Sequence, residues 1–403
     1  MNIRLLTAAA GAGVIALALT GCVPNSPSAT ALRVAITDDT CVVSAATAAS
    51  GAITFTISNT GSDVNEFEIL ADDKLRIVGE KENITPKQTV TYVAQLEPGT
   101  YYTACKFQQV GAPVGLAEFA VTGAATTVSA DEKKLTDQAV TSYVAYVRSQ
   151  IAELTPAVAA LVNAYEAGDD QTARGLFASA RVSYERIEPT AEAFGDLDPK
   201  IDYREVDAVA EGLDWTGFHR IEKDLWPPAA GALNSDGTSA VLDWAPSTTA
   251  QRQSYGQGLI DNVKSLSDLV GAASFTVTLA DISNGAIGLL DEVAASKITG
   301  EEDWWSHTDL GDFYANVQGA EVAFGSVKDI AARKGAEGTK LVASIEKQFT
   351  ALEKLLNTYG SLDAGYVTYD TVTDAQRRQL SDQVNALAEP LSKLTHAVLG
   401  IDG

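Results

Sequence analysis

Hydrophobic and polar positions divide this chain into two stretches with different periods. From about Leu32 to Val121 apolar residues recur at every second position. ITFTIS (53–58), EFEIL (66–70) and TVTYVAQL (89–96) alternate in this way, with turn residues at NTGS (59–62) and EPGT (97–100). A period of two sends successive side chains to opposite faces of an extended backbone, so each run predicts a strand. About seven such strands in some ninety residues predict a β-sandwich over 32–122.

VTGAATTVSADEKK (121–134) has the composition of a linker, placed at 123–134, and beyond it the period becomes helical. SYVAYVRSQIAELTPAVAALVNAYEAG (142–168) repeats apolar residues every three or four positions and ends at a glycine; DQTARGLFASARVSYERIEPTAEAF (170–194) follows, and similar runs continue to the C-terminus. VLDWAPSTTA (241–250) and KITGEED (297–303) read as breaks. Helices joined by short loops over 135–403 predict antiparallel packing in two bundles end to end. No internal repeat is visible.

One helical segment departs from simple amphipathicity. In WTGFHRIEKDLW (215–226), at about 100° per residue, Trp215, Phe218, Ile221, Leu225 and Trp226 share one arc, and Thr216, Arg220, Lys223 and Asp224 the opposite one. Glu222 falls within the apolar arc and His219 at its edge, so both face the interior as i, i+3 neighbours. A lone buried carboxylate is expensive unless paired. Three readings stand: a structural His–Glu pair, metal ligands of a carboxylate-rich bundle, or a hydrolase centre. The zinc-peptidase helix needs a second histidine one turn on, where this chain has Lys223. Metal binding requires further carboxylates to converge from other helices.

Composition narrows the classes. Apolar residues make up 46% and charged residues 20%, as in folded domains, and the formal net charge of −24 with no basic cluster excludes nucleic-acid binding. At the N-terminus Arg4 precedes an uncharged run from Leu5 to Leu19 and then Leu-Thr-Gly-Cys22. The run is too short to span a bilayer but suits a signal peptide (1–21), and the ending is similar to a bacterial lipobox. Cys22 is the expected lipidation point and 22–31 a Pro/Ser tether. Cys41 and Cys105 remain. Outside the cytoplasm such a pair is either a disulfide or two free thiols able to bind metal together with Glu66 and Glu68. Glu66 and Glu68 share one strand face, as do Glu80 and Glu82, and a solvated face is the alternative reading of both pairs. Residues 31–123 contain no histidine and the only methionine is Met1, so a blue-copper centre is excluded.

Several blocks together resemble a known family. YERIEP (184–189), DLDPKID-RE (196–205), GFHRIE (217–222), LLDEVAASKITGEED (289–303) and SHTDL-DF-AN (306–316) resemble the imelysin-like domain of the EfeO family of periplasmic iron-uptake components; NEFEIL (65–70), GEKENITP (79–86) and LEPGTYYTAC (96–105) are similar to its cupredoxin-like domain. The resemblance covers the mature chain. It implies an all-β cupredoxin-like sandwich followed by an all-α imelysin-like domain of two four-helix bundles. It also implies a helical-domain metal site of Glu185, Asp202, His219 and Glu292, with Glu222 as a further ligand or as the group orienting His219. The implied cargo is ferrous or ferric iron, with zinc or copper binding in vitro. The implied partners are a membrane iron permease of the EfeU type and a haem peroxidase of the EfeB type, at the outer face of the cytoplasmic membrane. The family was first classed with peptidases, so a metal-dependent peptidase is the alternative to a non-enzymatic carrier; a haem-handling accessory is a third reading. Gln150 stands where the family implies a glutamate. Ser306 and Asp309 fit a helix N-cap that also holds His307, and His396 reads as a helix-surface residue.

Overall fold

The computed structural model describes residues 30–401 apart from 73, 75–76, 108–112, 125–128 and 243. The expected signal peptide, Cys22 and all of the tether except its last two residues lie outside the described residues; those two already belong to the first strand.

The N-terminal domain packs two sheets. One has the order β2 (Cys41–Val43), β1 (Thr30–Ile36), β4 (Gly51–Asn59), β7 (Thr89–Leu96); the other β3 (Thr47–Ala49), β9 (Val114–Thr122), β8 (Gly99–Phe107), β5 (Asn65–Leu70), β6 (Ile77–Ile84). Most neighbours are antiparallel, while β1 with β4 and β3 with β9 run parallel. The alternation in β4 does what its period requires: Ile53, Phe55 and Ile57 are fully buried between the sheets. Phe55 meets Phe67 and Phe119 there, with ring centroids 5.2 and 6.0 Å apart. Cys41 and Cys105 join across the sheets as a disulfide, closing a 64-residue separation.

β5 behaves differently. Its period predicts one wet face, yet every residue from Asn65 to Leu70 is buried. Phe67 and Ile69 enter the sandwich core, while Glu66, Glu68 and Leu70 face the helical domain, which covers them. The solvated-face reading of Glu66 and Glu68 is therefore corrected: a second domain sits where water was expected.

The helical domain runs α1 (Ala130–Glu166), α2 (Asp170–Glu185), α3 (Leu197–Asp202), α4 (Glu205–Glu211), α5 (Gly217–Leu225), α6 (Thr249–Gly271), α7 (Leu279–Ala295), α8 (Asp309–Ala332), α9 (Ala336–Leu356), α10 (Asp374–Leu391) and α11 (Leu394–Leu399). Helices α1, α2, α5 and α6 pack as one four-membered ring and α7–α10 as another, joined where α2 meets α8. Two boundaries differ from the sequence reading. Helix α1 starts inside the expected linker, because Ser129 and Glu132 form a capping box that satisfies its first amides. Helix α2 stops at Glu185, and Glu188–Phe194 continues as a 3₁₀ helix with Pro189 in its first turn, since proline cannot donate to an α-helical ladder. Gly285 on α7 makes room for this segment: a Cβ there would overlap the Pro189 carbonyl. Among the described residues no helix is long and apolar enough to cross a membrane.

The domains meet along β5–β7, with Lys81 2.5 Å from Asp291, Lys106 2.8 Å from Glu211, and the Asn284 amide donating to the Val93 carbonyl. Between them lies a cavity of about 1050 Å³, to which both domains contribute carboxylates.

Candidate metal centre

The centre begins with the placement of α5. Gly217 opens this helix at φ +83°, and a Cβ there would collide with the Ile201 carbonyl, so only glycine lets α5 approach the end of α3. That approach brings His219, 2% exposed, beside Asp202, the last residue of α3. His219 Nδ1 lies 3.1 Å from Glu222 Oε2, which holds the ring from one side. Nε2 points the other way, 3.5 Å from Glu302 Oε1 and 3.6 Å from Asp202 Oδ1, and is buried without a hydrogen-bond partner. Glu222 Oε1 accepts the backbone N–H groups of Trp305 and Ser306 at 2.9 and 2.7 Å, which ties α5 to the 300–308 loop carrying Glu302 and Asp303. Ligand-type atoms of Asp202, His219 and Glu302 lie within 4.8 Å of one another, and so do those of His219, Glu222 and Asp303.

Helix α5 is buried all round, which corrects the expectation of a polar outer arc. Its charges are paired instead: Lys223 with Glu205, and Arg220 with Asp224 at 3.0 Å, whose carboxylate also accepts the Tyr165 hydroxyl at 2.5 Å.

Two cations are built into the same core. The Arg181 guanidinium, fully buried, reaches Glu185 at 2.5 Å, Asp312 at 2.9 Å, Glu302 at 3.2 Å, Asp303 at 3.6 Å and also Asp202. Burial alone would disfavour its charge, but Asp202, Asp312 and Glu185 outweigh that and hold it firmly protonated. Lys297, 4% exposed, places Nζ 2.5 Å from Glu188, 3.7 Å from Glu292 and 3.8 Å from both Glu185 and Glu302.

The protonation pattern follows from this arrangement. Burial works to raise Glu302, but Lys297, His219 and Arg181 hold it well below the usual carboxylate range. Burial and Arg181 both oppose an imidazolium at His219, yet Glu222, Glu302 and Asp202 push its pKa up to about 10. Burial pushes Asp202 up to about 6 and Glu185 up to about 7, each against the pull of Arg181. An incoming metal ion must therefore displace protons, from His219 first.

Of the residues expected to converge, Asp202 and Glu222 both reach His219, but at opposite ring nitrogens, Asp202 at Nε2 and Glu222 at Nδ1. Glu185 and Glu292 do not join them, because Arg181 and Lys297 claim the Glu185 carboxylate and Lys297 faces that of Glu292. Glu302 and Asp303 were missed. They lie in a loop where no helical period marks a buried side chain, although GEED stood inside a block carrying the family resemblance. Arg181 was legible: it lies four residues after Phe177 and three before Tyr184, on the buried stripe of α2. Gln150 accepts from Arg186 at 3.3 Å, outside the cluster. The expected Ser306–Asp309 cap is also corrected. Asp309 accepts the Asp303 N–H at 3.2 Å, and His307 is held by its own N–H donating to the Asp303 carbonyl at 2.7 Å, in the left-handed region. His396 lines the interdomain cavity rather than the outer surface, and burial lowers its pKa.

The sandwich contributes a second carboxylate group. Oxygens of Glu66, Glu80 and Glu82 lie within 4.8 Å of one another, on neighbouring strands β5 and β6 facing the cavity. Cys41 and Cys105 are bonded to each other, so the expected set of two thiols with Glu66 and Glu68 is not assembled. Burial, followed by the mutual repulsion of carboxylates, holds Glu66 and Glu80 well above their ordinary range, and Glu192 of the helical domain hydrogen-bonds Glu80.

Comparison with known proteins agrees with this architecture. The imelysin family model matches residues 139–394 and the cupredoxin-like domain model residues 10–115. The iron uptake system component EfeO of Escherichia coli (strain K12) is 35% identical over 406 aligned residues, covering all of both chains. The proteins of the same description from Shigella flexneri and Shigella sonnei (strain Ss046) match equally well. With full-length similarity, both domain models in order and the fold to match, this chain belongs to the EfeO family of iron uptake system components.

Proposed function

We propose that this protein is a non-enzymatic iron carrier that captures ferrous or ferric ions outside the cytoplasmic membrane and delivers them to a membrane permease of the EfeU type. A haem peroxidase of the EfeB type acts alongside it, and a lipid on Cys22 anchors the carrier to the membrane. The full-length likeness to proteins named as iron uptake components supports the assignment. One observation carries the site: the buried, unpartnered His219 Nε2 faces oxygens of Asp202 and Glu302 at 3.6 and 3.5 Å. One imidazole with carboxylate oxygens is a donor set for iron, manganese or zinc rather than cuprous copper. Glu222 fixes the ring through Nδ1, with Asp303 3.9 Å from that nitrogen on the side away from the Nε2 donor set. Glu66, Glu80 and Glu82 form a second candidate site on the opposite wall of the cavity.

Calorimetry with anaerobic ferrous iron, ferric citrate, Zn²⁺ and Cu²⁺ tests this reading on the wild type, His219→Ala and Glu302→Gln. Both substitutions should abolish the tightest binding event. Unchanged affinity in both would remove the helical site, and chelator-sensitive cleavage of a peptide library would replace the carrier with a peptidase.

A further inference from the structure

We propose that Lys297 is a displaceable resident cation: its ammonium group fills a carboxylate cage that borders the interdomain cavity and shares Glu302 with the His219 site, and an arriving metal ion exchanges with it. The inference rests on the carrier reading above and adds to it the step by which an ion reaches, and later leaves, the buried centre.

Position is the first support. Glu188, Glu292 and Glu302 of the cage also line the cavity, and Glu302 Oε1 is at once 3.8 Å from Lys297 Nζ and 3.5 Å from His219 Nε2. One oxygen therefore belongs to both places. Asp202, which also faces His219 Nε2, lines the cavity too, so an ion arriving at Glu302 from the cavity comes under the influence of both His219 and the lysine.

Donor chemistry is the second. Around Nζ stand oxygens of Glu188, Glu292, Glu185 and Glu302, with the Asn316 amide oxygen at 3.4 Å. Of these, Lys297 hydrogen-bonds only Glu188 and Asn316, while Arg181 also holds Glu185 and Glu302; five oxygens, four of them carboxylate, around one point are nevertheless the ligand set of a hard multivalent cation. His219 Nε2, buried and making no hydrogen bond, faces the same shared oxygen at 3.5 Å, which marks the region as loosely enough held to admit an ion.

The third support is the contrast between the two buried cations. Arg181 is a planar fork locked by carboxylates on several sides. Lys297 is a point charge on a flexible four-carbon stem, beside a cavity with room to receive it. A cage of four acids without it would be a trap. With it, binding a metal requires expelling a unit of positive charge, which lowers affinity and lets the lysine return as the ion departs.

The test uses Zn²⁺ alone, a redox-inert probe, on the full chain as wild type, Lys297→Met, Lys297→Arg, His219→Ala and the Lys297→Met/His219→Ala double variant. Equilibrium dialysis with metal analysis should give Lys297→Met one more tightly held Zn²⁺ per chain than the wild type, at least about ten-fold tighter than any weak second event there. The double variant should keep that extra ion, and Lys297→Arg should behave as the wild type. Unchanged stoichiometry and affinity in Lys297→Met overturn the proposal. If His219→Ala alone changes nothing, the carrier site fails, while the double variant still reports on the cage. Because removing the lysine leaves four acids together, a second measurement uses the wild type. Reductive methylation read by peptide mass should leave Lys297 protected in metal-free protein and modify it several-fold faster at saturating Zn²⁺; equal protection in both states overturns the exchange.

Discussion

The two carboxylate groups facing each other across the cavity meet the same electrostatic problem with different means. In the helical domain, Arg181 and Lys297 are placed among the acids, and Glu302 stays ionised because of them. In the sandwich, Glu66, Glu80 and Glu82 stand together with Lys106 nearby but committed to Glu211, and burial holds all three glutamates above their ordinary range. A buried acid must find a cation or keep a proton. The helical group carries its own cations, which keep Glu302 ionised while burial still leaves protons on neighbours such as Glu188 and Glu292; the sandwich group relies on protons that a metal ion would replace.

The harshest way to break this comparison is Arg181→Met. Five carboxylates would lose their common partner, and urea unfolding at neutral pH should show a loss of about 3–5 kcal/mol, as for one-sided removal of a buried ion partner. Stability equal to the wild type would mean that the guanidinium balances nothing. In the sandwich the largest loss should come from a covalent link instead. Reducing Cys41–Cys105, or changing both to alanine, should lower stability by about 2–4 kcal/mol, because the bridge restricts a 64-residue loop in the unfolded chain.

Protons give a smaller, signed effect. Burial pushes Glu185 and Asp309 up to about 7 and Glu188 up to about 8. Each is an acid whose folded value exceeds its unfolded one, so the folded chain holds the extra protons. The associated stability is complete below pH 4 and is lost as pH rises through 7 to 8. His219, raised from 6.5 to about 10, has the same sign above neutrality. Metal-free protein should therefore melt lower at pH 8 than at pH 5.5, by about 1–2 °C for each kcal/mol lost in a chain of this size. Saturating Zn²⁺ should flatten the slope, since the ion takes the place of the protons. A melting temperature that rises with pH without metal would contradict the assigned protonation.

The finest test compares the two groups directly. In a His219→Ala background the remaining Zn²⁺ binding should depend on Glu66 and Glu80. It should weaken more steeply between pH 8 and pH 6 than the helical site does in a Glu66→Gln background, because at least two glutamates held above their ordinary range must give up protons there, against chiefly His219 in the helical site. Equal slopes would erase the distinction.

How much of this was visible beforehand differs from residue to residue. The alternation in ITFTIS gave the buried Ile53, Phe55 and Ile57 directly. The i, i+3 spacing of His219 and Glu222 on the apolar arc of α5 anticipated their 3.1 Å contact. Asp202 came only through the family blocks, since nothing local to KIDYRE says what its carboxylate meets. Glu302 and Asp303 were hidden because a loop has no period to betray an inward side chain, and Lys297 because the single 3₁₀ turn at Lys297–Thr299 is too short to show one. Glu185 and Glu292 carried the right residue type in the right blocks, yet their contacts went to the resident cations.

The sequence by itself determined the two-domain plan, the strand and helix periods, and the inward pairing on α5, because these depend on interactions between near neighbours along the chain. Only the tertiary structure decided which acids share the His219 centre, which are held by Arg181 and Lys297, and that the outer face of β5 is buried. Charges separated by more than a hundred residues are brought within a few ångströms by packing, and at that distance competition among partners, not residue type, fixes what each one does.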